Sequence, residues 1–471
     1  MLASNQVRQL REQAEHAGQG HIFRFWDELS NQSREQLIEQ IQSIDFDLLL
    51  RMKIEYIENP TSRTFSAQLE PPEIIPIPKT ENQKIRAGEA TKVGVKLLQE
   101  GKVGAILVAG GQGTRLGFDG PKGKFKIMPV SGKTFFQLFA EKIAALNKKY
   151  DCTIPWFIMT SEANDLDTRD YFLEHNFFDL NPEDIYFFKQ GMIPALDGKG
   201  RVFLEAKDHV FTNPNGHGGT IYALRSSGCL DEMKRRGLEE LFYFQIDNVL
   251  IKICDPIFLG YHRQAQADMS LKVVSKNDPQ EKVGVVGRVD GKLMIVEYSD
   301  LSKEDMEARN AEGALKYRGG SIAIHVFKRE FLEQESEGAK LPYHLAFKKI
   351  PHIDENGNLV DPDQPNGYKF EMFIFDALLD AERAVIMEVD RAEEFSPIKN
   401  MTGVDSAATA KIDLVNYYRR LLEQAGIAFP ADFSPEKTLI EISPLFAEDA
   451  EDVKQKINVN EFKLKFPLLL E

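Results

Sequence analysis

The chain has 471 residues, of which 42% are hydrophobic and 28% are charged, a composition typical of globular proteins. This length is sufficient for two or three domains around at least one large core. The formal net charge of −15 argues against nucleic-acid binding, because a protein that holds a polynucleotide backbone needs a basic surface. A phosphorylated small molecule remains compatible with this charge, since it requires only a few cations and amides gathered in one cleft.

Membrane and secretion signals are lacking in the sequence. No apolar run approaches the roughly 20 residues that cross a bilayer, and residues 1–6 are too polar to begin a secretory signal. Cys152, Cys229 and Cys254 are odd in number and lack metal-ligand spacing, as is typical of free cysteines in a reducing compartment. We therefore expect a cytoplasmic protein that binds neither a membrane nor a nucleic acid. Its oligomeric state is not indicated by the sequence.

Residues 1–95 predict a helical N-terminal region. Ser33 and Gln36 have the spacing of a capping box that opens a helix, and apolar residues follow them at helical intervals. The proline-rich residues 60–79 predict a linker that runs over the surface. We interpret this region as a structural one, a helical wrapper around the next domain.

Residues 96–405 predict an α/β catalytic domain. Short continuous apolar runs between helical stretches are typical of strands that are buried on both faces of a parallel sheet. Three such runs are residues 103–109, 154–160 and 241–246. Later runs on either side of Asp290-Gly291 predict an antiparallel hairpin. The expected fold is a Rossmann-like, mainly parallel sheet flanked by helices, with a small C-terminal lobe at residues 406–471 that begins with a helix.

The strongest single motif follows the first predicted strand. Residues 105–117 read Ala-Ile-Leu-Val-Ala-Gly-Gly-Gln-Gly-Thr-Arg-Leu-Gly, and Pro-Lys-Gly follows at residues 121–123. Glycines let backbone amides approach a ligand closely, and a helix that began after them would favour an anion. In open α/β sheets ligands bind at this position, beyond the carboxyl end of a strand. The pattern therefore predicts a phosphate-binding loop.

Three kinds of phosphate loop compete for this pattern, and a plain glycine turn is the alternative to all of them. A Walker loop would end in Gly-Lys-Ser/Thr, where this chain has Thr114, Arg115 and Leu116. A dinucleotide fingerprint would need its third glycine one residue before Gly117. The remaining interpretation pairs the loop with two cations, Arg115 and Lys122, whose charges could neutralise a triphosphate and a departing pyrophosphate.

This loop resembles the signature of the UDP-sugar pyrophosphorylases, most closely the eukaryotic-type UDP-N-acetylhexosamine (N-acetylglucosamine) pyrophosphorylases. The resemblance covers the chain from about Gly101 to the C-terminal tail. Its further segments are residues 190–195 (Gln-Gly-Met-Ile-Pro-Ala), 247–248 (Asp-Asn), 283–286 (Val-Gly-Val-Val), 296–299 (Val-Glu-Tyr-Ser), 365–369 (Pro-Asn-Gly-Tyr-Lys) and 394–400 (Glu-Phe-Ser-Pro-Ile-Lys-Asn). It implies the nucleotide-diphospho-sugar transferase fold and a uridylyltransferase that makes a UDP-sugar and pyrophosphate from UTP and a sugar 1-phosphate.

The resemblance also implies a set of nucleotide contacts. Gln190 would read the uracil ring by paired side-chain hydrogen bonds, and Lys369 would contact the phosphates. Asp247 closes an apolar run, so its carboxylate could reach a Mg²⁺ ion that bridges phosphates. Taken alone, Asp247 is more typical of a strand-ending cap and Lys122 of a solvated turn. The implied nucleotide-binding residues are Val108, Ala109, Gly110, Gly111, Lys122, Gln190, Gly216, Asp247 and Lys369.

The chemistry itself requires mainly positive charge. When one anionic phosphate attacks another in line, catalysis depends on positioning and charge neutralisation, and no covalent nucleophile or general base is needed. Arg115, Lys122 and Lys399 are the expected catalytic cations, with Lys399 on the sugar phosphate by resemblance. Magnesium is the expected cofactor, because UTP is used as its metal complex.

The sugar-side assignments rest on resemblance, and two of them depart from the N-acetylhexosamine pattern. The implied residues are His217, Gly284, Glu297, Tyr298, Ser321 and Lys399. His217 replaces an Asn of those enzymes, as in UDP-glucose and broad UDP-sugar pyrophosphorylases, and Ser321 stands where Asn is usual. One amide hydrogen bond can change substrate preference by about an order of magnitude. The expected acceptor is N-acetylglucosamine or N-acetylgalactosamine 1-phosphate, and the alternative is glucose or galactose 1-phosphate.

Two functions of other classes remain as alternatives. A non-catalytic nucleotide-sugar sensor would be expected to have lost Arg115, Lys122, Asp247 or Lys399, and all four are present. A glycosyltransferase would be expected to carry Asp-x-Asp at a strand end, where this chain has Asp247-Asn-Val. The sequence therefore favours the uridylyltransferase.

Overall fold

The computed structural model describes residues 4–59, 69–338 and 340–471. Two compact units are present, and each is assembled from segments that alternate along the chain. The smaller unit consists of the described parts of Met1–Ser66, Gly191–Gly219 and Leu341–Ile374; the larger consists of those of Ala67–Gln190, Thr220–Lys340 and Phe375–Glu471. The domain boundaries expected after residues 95 and 405 stay predictions. Within the described ranges, no helix is both long and apolar enough to cross a membrane.

Helices occur in both units. They are α1 (Ser4–His16), α2 (Asn31–Gln42), α3 (Phe46–Met52), α4 (Glu81–Gln99), α5 (Phe135–Tyr150), α6 (Asp165–Glu174), α7 (Thr220–Ser226), α8 (Cys229–Arg235), α9 (Pro256–Gln264), α10 (Lys303–Glu307), α11 (Arg329–Glu335), α12 (Arg391–Glu394), α13 (Ala407–Gln424) and α14 (Ala450–Lys456). The helical N-terminal region and the helix predicted just after residue 405 are thereby confirmed.

Strands also occur in both units. They are β1 (Val103–Val108), β2 (Trp156–Thr160), β3 (Ile185–Lys189), β4 (Met192–Pro194), β5 (Leu196–Asp197), β6 (Leu204–Ala206), β7 (His209–Val210), β8 (Thr212–Pro214), β9 (Glu240–Gln245), β10 (Met269–Ser275), β11 (Val285–Val289), β12 (Lys292–Val296), β13 (Gly319–Lys328), β14 (Tyr343–Lys348), β15 (His352–Ile353), β16 (Leu359–Val360), β17 (Gly367–Met372), β18 (Ala384–Glu388), β19 (Ile440–Ile442) and β20 (Leu468–Leu470).

A mixed sheet of nine strands is the centre of the larger unit as the structure describes it. β9, β1, β2 and β3 are parallel neighbours in that order, and helices flank them. β13 runs antiparallel to β9, and the β11–β12 hairpin joins the sheet beyond it. Asp290 and Gly291 both have positive φ, as a two-residue hairpin turn requires. The predicted α/β fold, with a mainly parallel sheet and an added hairpin, is confirmed.

A large cluster of buried apolar residues lies in the larger unit. It includes Phe139 of α5, Phe242 of β9 and Leu422 of α13. Ile440 and Leu468, in the C-terminal tail, belong to the same cluster. The tail therefore packs into the core of the sheet.

The smaller unit has a core of its own. Helices α1, α2 and α3 pack with short strands, among them a three-stranded sheet in the order β14-β17-β5. Phe370 on β17 and Leu37 on α2 are both fully buried in this core. The N-terminal helices therefore have their partners far along the chain, in residues 191–219 and 341–374.

The start of α2 differs from the prediction. The cap residue is Ser30, whose Oγ accepts a hydrogen bond from the Ser33 backbone N–H at 3.1 Å. Because Ser30 already satisfies this first-turn donor, the helix begins at Asn31 and Ser33 lies inside its first turn. The capping box predicted at Ser33 and Gln36 is therefore wrong by three residues.

The predicted linker lies partly outside the described residues, which resume at residue 69 after residue 59. Beyond that point the segment pairs with the main sheet: Glu70 with Arg288 of β11, and Ile75 with Met387 of β18. These bridges attach Glu70 and Ile75 to two different strands of the main sheet.

Candidate active site

Several predicted site residues meet at one edge of the main sheet. Because β1, β2, β3 and β9 are parallel neighbours, their carboxyl ends lie side by side. The glycine loop follows β1, Gln190 follows β3 and Asp247 follows β9. β13 is antiparallel to β9, so its first residues, including Ser321, lie at the same edge.

The glycine loop presents open backbone beside Gln190. A Cβ placed on Gly110 would lie 3.1 Å from Gln190 Oε1, so a side chain at this position would crowd Gln190. Gly111 is exposed, and no described atom lies within 4 Å of the position that its Cβ would take. The Gly111 carbonyl accepts the Lys122 backbone N–H at 3.1 Å, which holds Pro-Lys-Gly against the loop. Space for a ligand therefore exists beside Gly111, one of the residues expected to bind the nucleotide.

The α-helix that could have begun after the loop does not follow it directly. Residues Thr114–Leu116 form a single 3₁₀ turn, which ends at Gly117 in a left-handed conformation with φ of 70°. A residue in this conformation ends a helical turn, and the next α-helix, α5, begins only at Phe135. An anion at this loop would therefore meet backbone amides and side-chain cations rather than the N-terminus of a helix.

A buried asparagine holds the glycine loop in place. Asn164 Nδ2 donates to the carbonyls of Ala109 at 3.0 Å and Gly111 at 3.4 Å, and Oδ1 accepts the Ser161 N–H at 2.8 Å. Asn164 is also the cap residue of α6, yet its side chain makes no hydrogen bond to that helix. Its amide is used on the loop rather than on its own helix, so Asn164 positions the backbone that follows β1.

Replacing Asn164 with aspartate is expected to weaken UTP binding by about tenfold. The aspartate side chain has nearly the same shape, but a carboxylate cannot donate to the Ala109 and Gly111 carbonyls and repels them. The measurement is the dissociation constant of UTP by calorimetry, with the KM for the sugar phosphate as a second readout.

The matched control is Asn147→Asp. Asn147 Oδ1 accepts the Ile154 N–H near the start of β2, away from the loop, and aspartate keeps that acceptor. UTP affinity should be unchanged in this variant. Equal UTP affinity in Asn164→Asp and wild type would show that the loop does not depend on this amide.

Three charged residues of the predicted site act electrostatically on the fourth, Lys122. Burial lowers the pKa of Lys122; the charge of Asp247 opposes this, and the charges of Lys399 and Arg115 add to it. Arg115 and Lys399 are exposed, whereas Lys122 and Asp247 are half-buried. The larger unit therefore brings together three cations around one carboxylate at the sheet edge, as a site for a polyphosphate requires.

This depressed pKa predicts the pH dependence of the reaction. Lys122 is charged below its pKa and loses its charge as the pH rises through a value lower than that of an ordinary lysine. The profile of kcat/KM for UTP, which reports the free enzyme, should therefore fall on its alkaline side. Lys122→Arg should move this fall to higher pH, because arginine stays charged above pH ~12. An alkaline limb at the same pH in both proteins would assign it to another group.

Backbone pairing places Lys399 next to Asp247. Asn248 pairs with Pro397, and the Ile398 N–H donates to the Asp247 carbonyl at 2.9 Å. The buried Asn248 side chain bonds the Glu394 carbonyl and the Ser396 N–H, which fixes the segment before Lys399. The loop after β9 and the segment that carries Lys399 therefore form one backbone assembly.

Asp405 is a site residue that the sequence did not indicate. Its carbonyl accepts the backbone N–H groups of Lys399 at 2.7 Å and Asn400 at 3.0 Å, and its φ of 55° is left-handed. Burial raises the pKa of its carboxyl group; the charge of Lys399 opposes this shift, and that of Asp247 adds to it. A second carboxylate therefore acts on the same cluster of charges.

The expected sugar residues of the larger unit lie at the first residues of β11 and β13 and the end of β12. The Gly284 carbonyl accepts the Ser321 N–H at 2.9 Å, and a Cβ on Gly284 would lie 3.3 Å from Glu297 Oε1. Tyr298 follows and is exposed. The structure thus brings Gly284, Glu297 and Ser321 together, while their role in sugar binding stays a prediction.

Three other predicted residues belong to the smaller unit. His217 Nδ1 accepts the Ile374 N–H at 3.2 Å, and its ring stacks on Phe373 with centroids 5.3 Å apart. Gly216 has a φ of 84°, so a side chain there would be strained. Lys369, on β17, places its Nζ 5.0 Å from the ring centroid of Phe211. His217 therefore anchors the turn after β17, whatever it contributes to a substrate.

An α/β sheet edge that carries a glycine loop, clustered cations and a strand-end carboxylate defines a nucleotide-phosphate-binding domain. Comparison with known proteins gives the family: residues 54–425 match the model of UTP–glucose-1-phosphate uridylyltransferase. The chain belongs to this family.

Full-length relatives agree with this membership and with the resemblance inferred from the motifs. The chain is 37% identical over 505 aligned residues to UDP-N-acetylhexosamine pyrophosphorylase-like protein 1 of Homo sapiens, covering 100% of this chain and 98% of that protein. It is 35% identical to the UDP-N-acetylglucosamine pyrophosphorylase of Saccharomyces cerevisiae, covering 93% and 95%. A solved structure of the UDP-N-acetylglucosamine pyrophosphorylase of Trypanosoma brucei superposes with a TM-score of 0.83 at 28% identity, covering 97% of this chain and 95% of that one.

Proposed function

We propose that this chain transfers the uridylyl group of UTP to N-acetylglucosamine 1-phosphate or N-acetylgalactosamine 1-phosphate, in the cytoplasm. The observation that carries the proposal is the sheet edge at which the open glycine loop lies with Lys122, Asp247 and Lys399. The similarity to the UDP-N-acetylglucosamine pyrophosphorylases of yeast and the trypanosome supports it. The free cysteines support a reducing compartment.

The residues have distinct tasks in this reaction. A phosphate oxygen of the sugar 1-phosphate attacks the α-phosphorus of UTP, the bond to the bridging oxygen of the β-phosphate breaks, and pyrophosphate leaves. Arg115 and Lys122 neutralise the charge that accumulates on pyrophosphate, and Lys399 holds the attacking phosphate. Because Lys122 is partly buried, its charge is screened less by water than that of an exposed lysine. Gln190 beside Gly110 orients the base.

The carboxylates of the site suit a magnesium ion. Within the described ranges no cluster of three or more His, Cys, Asp or Glu side chains could hold a metal. Mg²⁺ needs no such cluster, since it is usually bound by one or two carboxylates together with substrate phosphates and water. Asp247 would hold the ion, with Asp405 as a second carboxylate in electrostatic range. When bound, Mg²⁺ would neutralise phosphate charge.

A second candidate function is the same transfer to glucose or galactose 1-phosphate. Two observations favour it: the chain belongs to the UTP–glucose-1-phosphate uridylyltransferase family, and His217 lies at a position where the N-acetylhexosamine enzymes have Asn. The His217 ring is held by Ile374 and Phe373, so its replacement changes both packing and hydrogen bonding.

Pyrophosphate release from UTP and magnesium, measured with the four sugar 1-phosphates, tests both candidates. We expect a higher kcat/KM with the N-acetylated acceptors, and a preference that rises by about tenfold in His217→Asn. A higher value with glucose 1-phosphate would establish the second candidate instead. If no pyrophosphate is released with any of the four acceptors, the transferase function is refuted and a nucleotide-sugar sensor is favoured.

A further inference from the structure

The larger unit contains a cavity of about 320 Å³ away from the glycine loop. Its walls come from α5, from the segment after Asn248, from α13 and from the tail before α14. Apolar side chains line much of it, among them Leu146, Leu421 and Tyr417. This volume is in the range of small-molecule sites and exceeds what one ordered water needs.

Most charged groups that line this cavity form an ion pair or a hydrogen bond with another group of the protein. Lys149 pairs with Asp449 at 2.7 Å, Lys252 with Glu393 at 2.7 Å, and Asp255 with the buried Lys272. Lys142 donates to the carbonyls of Val249 at 3.2 Å and Ile251 at 2.6 Å. Each of these charges therefore already has a counter-ion or a hydrogen-bond acceptor within the protein.

Glu448 is the exception. Its backbone N–H donates to Asp452 Oδ2 at 3.1 Å and its carbonyl accepts the Tyr417 hydroxyl at 3.3 Å. Within residues 4–59, 69–338 and 340–471, its carboxyl group has no hydrogen-bond partner. Burial raises the pKa of this carboxyl group to about 7, although Lys142 and Lys149 oppose the shift. Glu448 is half-buried in the wall of the cavity, so a ligand there can donate a hydrogen bond to its carboxyl group.

We propose that this cavity binds a small amphipathic amine, with the ammonium group on the Glu448 carboxylate and an aromatic or aliphatic body against Leu146, Tyr417 and Leu421. Such a ligand supplies the donor that Glu448 lacks and buries apolar surface beside aromatic rings that also attract a cation. The site is distinct from the nucleotide edge, the edge of the main sheet at which the glycine loop lies. Neither Glu448 nor the apolar wall takes part in uridylyl transfer.

One wall of the cavity is continuous with that edge. Val249, whose carbonyl holds Lys142, follows Asp247 and Asn248 directly, and its N–H donates to the Ser396 carbonyl at 3.3 Å. A molecule in the cavity would therefore contact the same backbone assembly that carries Lys399.

The test uses the whole chain and phenethylamine as the probe, with 2-phenylethanol as its neutral counterpart. Binding is measured by saturation-transfer NMR and calorimetry in wild type, Glu448→Gln and Glu451→Gln. Glu451 is the matched control, because it pairs with Lys454 on the exposed side of α14 at 2.5 Å. Uridylyltransferase activity and melting temperature, expected to be close to those of wild type, verify that each variant is folded.

We expect phenethylamine to bind wild type and Glu451→Gln equally, and Glu448→Gln about tenfold more weakly. Binding of 2-phenylethanol should be weaker than that of phenethylamine and insensitive to Glu448→Gln. The proposal is overturned if phenethylamine does not bind wild type, if it binds Glu448→Gln as tightly, or if both probes lose the same affinity in that variant.

Discussion

Lys122→Met is expected to lower kcat for UDP-sugar formation by about 10²- to 10³-fold, the cost of removing one group that stabilises transition-state charge. The methionine side chain retains the length and apolar stem of lysine, so the change isolates the ammonium group. Two neighbouring cations, Arg115 and Lys399, remain and explain why activity should not vanish. Pyrophosphate release at saturating UTP and sugar phosphate measures the effect.

The control is a lysine in the same 3₁₀ turn. Lys124 Nζ lies 2.6 Å from Asp167 Oδ1 and over the ring of Tyr171, so its charge is engaged away from the cleft. Lys124→Met should therefore change kcat by less than about threefold, the effect of a surface ion pair. If the two variants lose activity equally, the turn acts as a structural unit and the assignment of Lys122 to the phosphates fails.

Local patterns predicted the elements of the nucleotide edge well. The continuous apolar runs correspond to β1, β2 and β9, because a strand that is buried on both faces has apolar residues throughout instead of alternating apolar and polar residues. The glycine loop was identified for a different reason: backbone that a ligand approaches closely needs residues without side chains. The role of Lys122 was inferred from its place after the loop, and those of Asp247 and Lys399 came from resemblance. All three stay predictions, although the structure places their charges together.

Long-range partners could not be predicted in this way. Asn164 follows β2 in the sequence, but its amide bonds carbonyls that follow β1, some 50 residues earlier in the chain. Asp405 lies six residues after Lys399, and only a left-handed turn returns its carbonyl to that residue. The signal that was available, Ser161-x-x-Asn164 directly after a buried strand, indicates a turn without naming its partner.

The sequence also did not predict that each unit consists of several separate segments of the chain. The smaller unit joins α1, α2 and α3 to strands between residues 191–219 and 341–374, and these pairings leave no mark in any local window. The helix cap at Ser30 shows a similar limit at short range: serine is a good cap residue at both Ser30 and Ser33, and the residue type alone does not distinguish them.

Asp247→Asn is expected to lower kcat/KM for UTP by at least about 10²-fold at low magnesium, with part of the loss recovered at high magnesium. Asparagine keeps the shape and the oxygen of the side chain but removes the charge that attracts Mg²⁺. The measurement is the initial rate across a magnesium titration at fixed UTP. The half-saturating magnesium concentration should rise in the variant.

A different role for Asp247 would give a different result. Its charge also favours the protonated form of Lys122, so the variant should lower the pKa of Lys122 further and move the alkaline limb of kcat/KM to lower pH. If the alkaline limb moves while the magnesium titration superposes on that of wild type, Asp247 acts through Lys122 alone.

Asp405→Asn serves as the comparison, because it removes a nearby carboxylate whose charge acts on Lys399. A rise in half-saturating magnesium in Asp405→Asn, but not in Asp247→Asn, would transfer the metal to Asp405.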